Sequence, residues 1–106
     1  MNAQTESIVG ELRGELEALY GDRMSSLVLF GSHARGDAVP DSDVDVLVVL
    51  RGPVRPGLEI QRTGPAKAKL CLKYGAVVST TFMSAERYAT EKSPLLLNVR
   101  REGVAV

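Results

Sequence analysis

Hydrophobic residues recur every three or four positions near the start of the chain. This spacing places them on one side of a helix, because an α-helix turns once in about 3.6 residues. The pattern predicts a helix over Thr5–Tyr20, and Gly21 supplies its stop. The apolar face of this helix would carry Ile8, Leu12, Leu16 and Leu19.

Three short apolar runs predict β-strands. Ser26–Phe30 (SLVLF) ends at a glycine and is typical of a buried strand. Asp43–Leu50 (DVDVLVVL) first alternates acid with valine and then becomes continuously apolar, which predicts a strand that is buried on both faces only in its second half. Ala76–Met83 (AVVSTTFM) is rich in β-branched residues and predicts a third strand.

A connection and an interrupted helix follow the second strand. Arg51–Gly57 is dense in glycine and proline and indicates a loop. A helix is then expected from about Leu58 to Tyr74, ended by Gly75, although Gly64 and Pro65 lie within it. Proline removes an internal hydrogen bond and clashes with the preceding turn, so we expect a kink or two separate helical pieces there.

Two shorter helices are predicted near the end of the chain. Ser84 resembles an N-cap for a helix that runs through Thr90, and Pro94 opens a last helix over Leu95–Glu102, stopped by Gly103. The resulting order is helix, strand, strand, helix, strand, helix, helix. We therefore expect an α/β (α+β) fold with a small mixed β-sheet of about three or more strands and helices packed on it.

Length and composition narrow the possible functions. The 106 residues suffice for one domain, residues 1–106, and the 13 basic residues balance the 13 acidic ones, so nonspecific nucleic-acid binding is not expected. No apolar run approaches the roughly 20 residues that span a bilayer, and the N-terminus lacks a secretory signal, so we expect a cytoplasmic protein. With one cysteine, Cys71, and one histidine, His33, any metal must be held by carboxylates.

The loop after the first strand carries a candidate anion site. Gly31 lets the backbone approach a phosphate closely, and Ser32 would begin a helical turn whose free N–H groups attract anions. A tight turn without any ligand is the common alternative for Gly-Ser alone. Arg35 could reach a triphosphate or could be a surface charge, and Ser42 could bind phosphate, although we favour a structural role for it.

A pair of acids after this loop favours a ligand-binding interpretation over a simple turn. Asp43 and Asp45 alternate along a strand, which places both carboxylates on one face about 7 Å apart. Such a pair repels itself unless a cation lies between, and hard oxygen ligands suit Mg²⁺. Two solvated acids at a strand end are the alternative. Together with Gly31 and Ser32, the pair provides both halves of a site for a metal-bound nucleoside triphosphate.

Residues 31–50, GSHARGDAVPDSDVDVLVVL, strongly resemble the signature of the DNA polymerase beta-like nucleotidyltransferase superfamily, especially its minimal stand-alone members. The resemblance implies that Gly31 and Ser32 bind the triphosphate and that Asp43 and Asp45 ligate catalytic metals. It also implies transfer of a nucleoside monophosphate, AMP from ATP, to an acceptor hydroxyl. Minimal members are often encoded beside a helical HEPN-type protein, and some act as antitoxins by adenylylating it.

One departure from the family pattern leaves two hypotheses open. Active members usually add a third carboxylate from the next strand, where this chain has only the hydroxyls of Ser79, Thr80 and Thr81. Either the acid comes from elsewhere, or the domain is a catalytically weakened module that binds nucleotide or a partner. The candidate replacements are Asp37, Asp41, Glu86 and a partner chain.

The chain also lacks the added domain with which larger members hold an acceptor, which disfavours an antibiotic-modifying enzyme. We therefore expect a second chain, either a HEPN-type partner or another copy. Candidate contact surfaces are the first helix and the C-terminal segment SPLLLNVRREGVAV with its apolar run Leu95–Leu97, although closing the domain's own core is the somewhat better explanation for the run.

Overall fold

The fold is built around a single mixed β-sheet. The computed structural model describes residues 2–39 and 41–106. The strand order of the sheet is β3-β2-β1-β4, with β2 antiparallel to β1 and parallel to β3. The last strand pairs antiparallel with β1 at the opposite edge. The strands are β1 (Met24–Phe30), β2 (Val44–Leu50), β3 (Val78–Ser84) and β4 (Val104–Ala105).

Helices cover both faces of this sheet, which confirms the predicted α/β class. A short 3₁₀ turn, Gly21–Arg23, joins the first helix to β1. Every helix predicted from the sequence is present, with ends within about two residues of those expected, as is usual for helix boundaries. The helices are α1 (Ala3–Tyr20), α2 (Ser32–Arg35), α3 (Pro56–Tyr74), α4 (Ala85–Thr90) and α5 (Pro94–Glu102).

Alternation along the strands divides the core into two parts. Because neighbouring residues of a strand point to opposite faces, Val46 and Val48 face one side of the sheet and Leu47 and Val49 the other. The first side packs against α1 and α3 and contains 15 buried apolar residues. The second side packs against α5 and contains six: Val28, Leu47, Val49, Met83, Leu96 and Val99.

The long helix α3 runs without a break through Pro65, so the prediction of two separate helical pieces was wrong. The proline leaves the carbonyl of Gln61 without its helical donor, but Gln61 is exposed and water can satisfy that oxygen. Nearby, the hydroxyl of Thr63 donates to the carbonyl of Glu59 at 2.8 Å. Burial of Thr63 and Leu70 against the core favours one continuous element over two.

The two-residue strand β4 was not predicted. It follows α5 after Gly103 and pairs Val104 with Leu29 and Ala105 with Val28. Leu96 is fully buried, Leu95 packs against the smaller core and Leu97 is 56% exposed, so the apolar run mainly closes the chain's own core. In the part of the chain that the structure describes, no helix is long and apolar enough to cross a membrane.

Candidate functional site

Gly31 and Asp45 lie in direct contact at one end of the sheet. Antiparallel pairing places Asp45 opposite Phe30, the last residue of β1, so that the carboxylate reaches over the glycine that follows. Gly31 has φ +75°, and a methyl group built on its Cα would lie only 2.5 Å from Oδ2 of Asp45. Glycine is therefore required here both by the backbone conformation and by the closeness of the carboxylate.

The second acid, Asp43, immediately precedes β2 and is exposed, whereas Asp45 is partly buried within the strand. Burial raises the pKa of Asp45, and the negative charge of Asp43 raises it further. His33 and Arg35 act in the opposite direction and lower that pKa. Over residues 2–39 and 41–106, no side chain donates a hydrogen bond to either carboxylate, so the charges of His33 and Arg35 offset the raised pKa of Asp45 only in part.

The short helix α2 begins at the same place. Gly31 is its N-cap residue, and no side chain of the described ranges caps it, so the first amide groups of the helix lack a side-chain partner. Ser32 is the first helical residue and is partly buried. The predicted helical turn at Ser32 is thus confirmed, and its N-terminus lies next to the residue that contacts Asp45.

Arg35 closes α2 and points toward two carboxylates rather than into open solvent. Its Nε donates to Asp37 at 3.2 Å, and its Nη1 donates to Glu102 at the end of α5 at 3.1 Å. The side chain of Arg35 remains 45% exposed. Burial raises the pKa of Asp45, and the positive charge of Arg35 acts in the opposite direction and lowers it.

Ser42 and His33 together fix the loop between α2 and β2. The hydroxyl of Ser42 accepts a hydrogen bond from the amide of Val39 at 3.0 Å, so it closes the loop. The two ring nitrogens of His33 lie 3.1 Å from Oγ1 of Thr5 and 3.1 Å from the carbonyl oxygen of Ser42. His33 therefore ties the start of α1 to the loop. Sequence reasoning missed this contact, because no local pattern links residues 28 positions apart.

The register of the parallel pair shows what replaces the third acid. Asp45 lies beside Ser79, and Val46 beside Thr80. Thr80 belongs to the other face, where its hydroxyl accepts a hydrogen bond from Lys67 on α3 at 3.0 Å. Ser79 is thus the β3 residue level with Asp45. No cluster of three or more metal-ligating side chains is found within residues 2–39 and 41–106.

Two acids considered as substitutes for the missing third carboxylate are Asp37 and Glu86. The first forms an ion pair and the second lies far from Asp45. Asp37 pairs with Arg35. Glu86 lies on α4, beyond Ser84, which pairs with Leu50 at the opposite end of β2 from Asp45. A span of five strand residues separates those ends by about 16 Å. Glu86 therefore cannot supply the missing carboxylate within this chain.

A mixed sheet with an acid pair beside a glycine-led helix turn brings together carboxylate ligands for a cation and backbone amides for an anion. The chain matches the nucleotidyltransferase domain family over residues 9–96, and it belongs to that family. It is thus a nucleotidyltransferase, and the resemblance of residues 31–50 is confirmed.

Relatives and solved structures agree with this assignment. A protein of Methanocaldococcus jannaschii named as a protein adenylyltransferase is 36% identical over 83 residues, which cover 78% of this chain and 77% of the relative. A solved minimal nucleotidyltransferase superposes with a TM-score of 0.56 at 25% identity, covering 96% and 95% of the two chains. A crystal structure of the toxin–antitoxin pair MntA–HpeT superposes with a TM-score of 0.61 at 18% identity, covering 100% of this chain and 72% of the other, and this likeness concerns the fold.

Proposed function

We propose that residues 1–106 act as one minimal catalytic domain that transfers AMP from ATP to a hydroxyl group of a protein partner. The observation that carries the proposal is the contact between Asp45 and Gly31, because it brings a carboxylate pair to the start of α2. The name of the 36% identical relative supports adenylylation of protein. The fold shared with a toxin–antitoxin protein supports a toxin as the partner and an antitoxin role, and the family resemblance of residues 31–50 implies that this toxin is of the HEPN type. We further propose a cytoplasmic location, where ATP is supplied.

The proposed reaction replaces a phosphoanhydride bond of ATP with a phosphoester bond to the acceptor. The acceptor oxygen bonds to the α-phosphorus of ATP, and the bond from that phosphorus to the oxygen bridging to the β-phosphate breaks. Pyrophosphate leaves with the electron pair of that bond, and the hydroxyl proton passes to a base. The amide groups at the start of α2, with Gly31 and Ser32, are suited to hold the triphosphate oxygens. Arg35 would add charge to the same oxygens.

The residues present fit a divalent cation. Burial, and then the charge of Asp43, raise the pKa of Asp45, and neither carboxylate accepts a hydrogen bond in the described parts of the chain. We propose Asp43 and Asp45 as its ligands and Mg²⁺ as the ion, because paired carboxylates and triphosphate oxygens suit it. When bound, the ion supplies neutralisation of phosphate charge. Gly31 keeps the space beside Asp45 free of any side chain.

The experiment that tests this proposal is label transfer from ATP labelled in the α-phosphate. The chain is incubated with Mg²⁺, alone and with the product of the neighbouring gene, and covalent label on protein is measured. We expect label on the partner, lost in Asp43→Asn and Asp45→Asn. Asp22→Asn serves as a matched control, because Asp22 is an exposed acid in the turn before β1. Nucleotide binding without transfer to any acceptor would overturn the enzymatic proposal.

The second candidate function is a module that binds nucleotide or a partner with little turnover. One observation favours it: the position on β3 level with Asp45 is Ser79. A hydroxyl is a poor metal ligand and too weak a base to take the acceptor proton at neutral pH. Under this alternative, the missing acid would have to come from a partner chain for transfer to occur.

The variant Ser79→Asp separates the two candidates. If the absent carboxylate limits turnover, this substitution raises the rate of label transfer, and Thr80→Asp does not, because Thr80 faces Lys67 on the other side of the sheet. An unchanged rate in Ser79→Asp, together with wild-type transfer, would show that the chain and its partner already hold a complete site.

A further inference from the structure

The guanidinium of Arg35 is held from two sides at the edge of the candidate nucleotide site. Asp37 accepts from Nε at 3.2 Å and Glu102 accepts from Nη1 at 3.1 Å. An arginine side chain has five N–H donors, and these two bonds use only two of them. In the described parts of the chain, Nη2 makes no hydrogen bond, so both of its N–H groups remain free to bind an anion.

The two carboxylates differ in how firmly they are fixed. The side chain of Asp37 is 62% exposed and lies only two residues from Arg35, so it can move with the loop. The side chain of Glu102 is only 15% exposed and lies 67 residues away in the sequence. A carboxylate that is largely shielded from water loses free energy of hydration unless a charged partner compensates it. The ion pair of Glu102 with Arg35 is therefore more firmly held than that of the exposed Asp37.

The surroundings of Glu102 are anchored to the same strand that leads into the site. Glu102 ends α5, whose Leu96 and Val99 are buried in the smaller core. The next residues form β4, which pairs Val104 with Leu29, close to the end of β1 from which Gly31 follows. Glu102 is therefore held by packing on one side and by strand pairing on the other.

We propose that Glu102 is a positioning residue for the bound triphosphate: it holds Arg35 so that the unused donors of the guanidinium meet the phosphate oxygens. This inference rests on the proposed function, because it takes Arg35 as a phosphate ligand. A pre-positioned arginine loses less side-chain freedom on binding, and that saving appears as affinity for the nucleotide. Glu102 acts through Arg35 and does not itself contact the nucleotide.

The test is a double-mutant cycle read out as binding rather than turnover. Affinity for α,β-methylene-ATP, in which a CH₂ group replaces the bridging oxygen whose bond AMP transfer would break, is measured by calorimetry with Mg²⁺ for wild type, Glu102→Ala, Arg35→Ala and the double variant. We expect Glu102→Ala to weaken binding about tenfold, and Arg35→Ala at least as much. In the Arg35→Ala background, removing Glu102 should change affinity by less than about twofold.

Two further variants make the cycle specific. Glu102→Gln keeps an oxygen acceptor for Nη1 without the charge and should bind with intermediate affinity; if Glu102→Ala does not fold, the cycle is run with Glu102→Gln. Glu91→Ala is the matched control, because it breaks the ion pair between Arg87 and a glutamate whose side chain is 24% exposed, on an element away from the acid pair. We expect its affinity to equal that of the wild type.

The outcomes separate this inference from the proposed function. If wild type binds no α,β-methylene-ATP, the proposed function fails and the inference fails with it. If wild type binds and Glu102→Ala binds equally well, only the inference is overturned. If Glu102→Ala weakens binding as much without Arg35 as with it, Glu102 acts through the fold, and the positioning role is again overturned.

Discussion

Glu59 and Asp45 lie near opposite ends of β2 and differ in their hydrogen bonds. The carboxylate of Glu59 accepts hydrogen bonds that stabilise the fold, whereas none to Asp45 is found in the described residues. Glu59 lies in the first turn of α3, beyond the end of β2, and is only 2% exposed. The hydroxyl of Tyr20 donates to it at 2.9 Å, and the amide of Arg55 donates at 3.3 Å. Arg62 adds a charged partner at 3.5 Å.

Asp45 lies at the start of the same strand and has the opposite surroundings. Its neighbour is a second acid, and its pKa is raised by burial and by that acid. Burial alone therefore does not mark a functional carboxylate, since Glu59 is the more buried of the two. What distinguishes Asp45 is that its environment penalises the charge and that, within residues 2–39 and 41–106, no hydrogen-bond donor offsets the penalty.

The substitution Asp45→Asn is expected to have the largest effect, and it tests whether Asp45 serves activity and not stability. We expect nucleotidyl transfer to fall by about a thousandfold, because a ligand of the proposed metal and its charge are both lost. The midpoint of thermal unfolding should not fall, since the substitution removes repulsion with Asp43. A loss of stability together with unchanged transfer would show that Asp45 serves the fold instead.

The corresponding test at the other end is Glu59→Ala. We expect the free energy of unfolding to fall by about 3 kcal/mol, because the hydroxyl of Tyr20 and the amide of Arg55 would lose their acceptor. Transfer per folded molecule should stay unchanged. Chemical denaturation measures the first quantity, and Glu17→Ala is the control: its ion pair with Arg13 is exposed and worth at most about 1 kcal/mol.

A third prediction concerns the glycine under Asp45. Gly31→Ala should cost about 2 kcal/mol of stability and reduce transfer, because the new methyl group combines backbone strain with a clash against Oδ2 of Asp45. Gly36→Ala is the matched control, since φ is +85° but no atom of the described residues lies within 4 Å of the added group. Equal transfer in the two variants would contradict an active role for the Gly31 contact.

The smallest expected effect is a pH dependence of the free energy of unfolding that arises from Tyr20, the hydrogen-bond partner of Glu59. Burial and the adjacent Glu59 raise the pKa of Tyr20 to about 12, from an ordinary value of 10. The unfolded chain therefore loses this proton first, and the resulting stability is complete below pH 10 and disappears as the pH rises toward 12. By pH 11 the loss is about 1.4 kcal/mol. Unfolding curves at pH 8 and pH 11 should show this extra loss in wild type and not in Tyr20→Phe.

Most of the fold could be predicted because its elements have strong local signals. Period-3.6 spacing marked α1, an apolar run marked β1, and Ser84 and Pro94 marked the starts of α4 and α5, where the hydroxyl of Ser84 accepts a hydrogen bond from the backbone amide of Arg87. Two features have no such signal. A two-residue strand such as β4 shows no periodicity, and the continuity of α3 through Pro65 depends on tertiary packing that overrides a local preference.

The sequence predicted those parts of the candidate site that lie close together along the chain, but not the contacts made between strands and helices. Gly31, Ser32, Asp43 and Asp45 lie within fifteen residues, and strand alternation relates the two acids. The contact between Gly31 and Asp45 and the pairing of Ser79 with Asp45 depend on strand register, which no short motif specifies. The ion pair of Arg35 with Glu102 spans 67 positions and could not be inferred without the fold.

The unequal division of the core has a consequence for how the molecule opens. The face that carries Asp45 rests on the six-residue cluster, whereas the opposite face holds α1 and α3 with more than twice as many buried side chains. Amide hydrogens of α4 and α5 should therefore exchange with solvent through partial openings that leave α1 and β2 protected. Partial opening of this thinner layer would expose the smaller core to solvent while the larger core keeps α1, α3 and β2 folded.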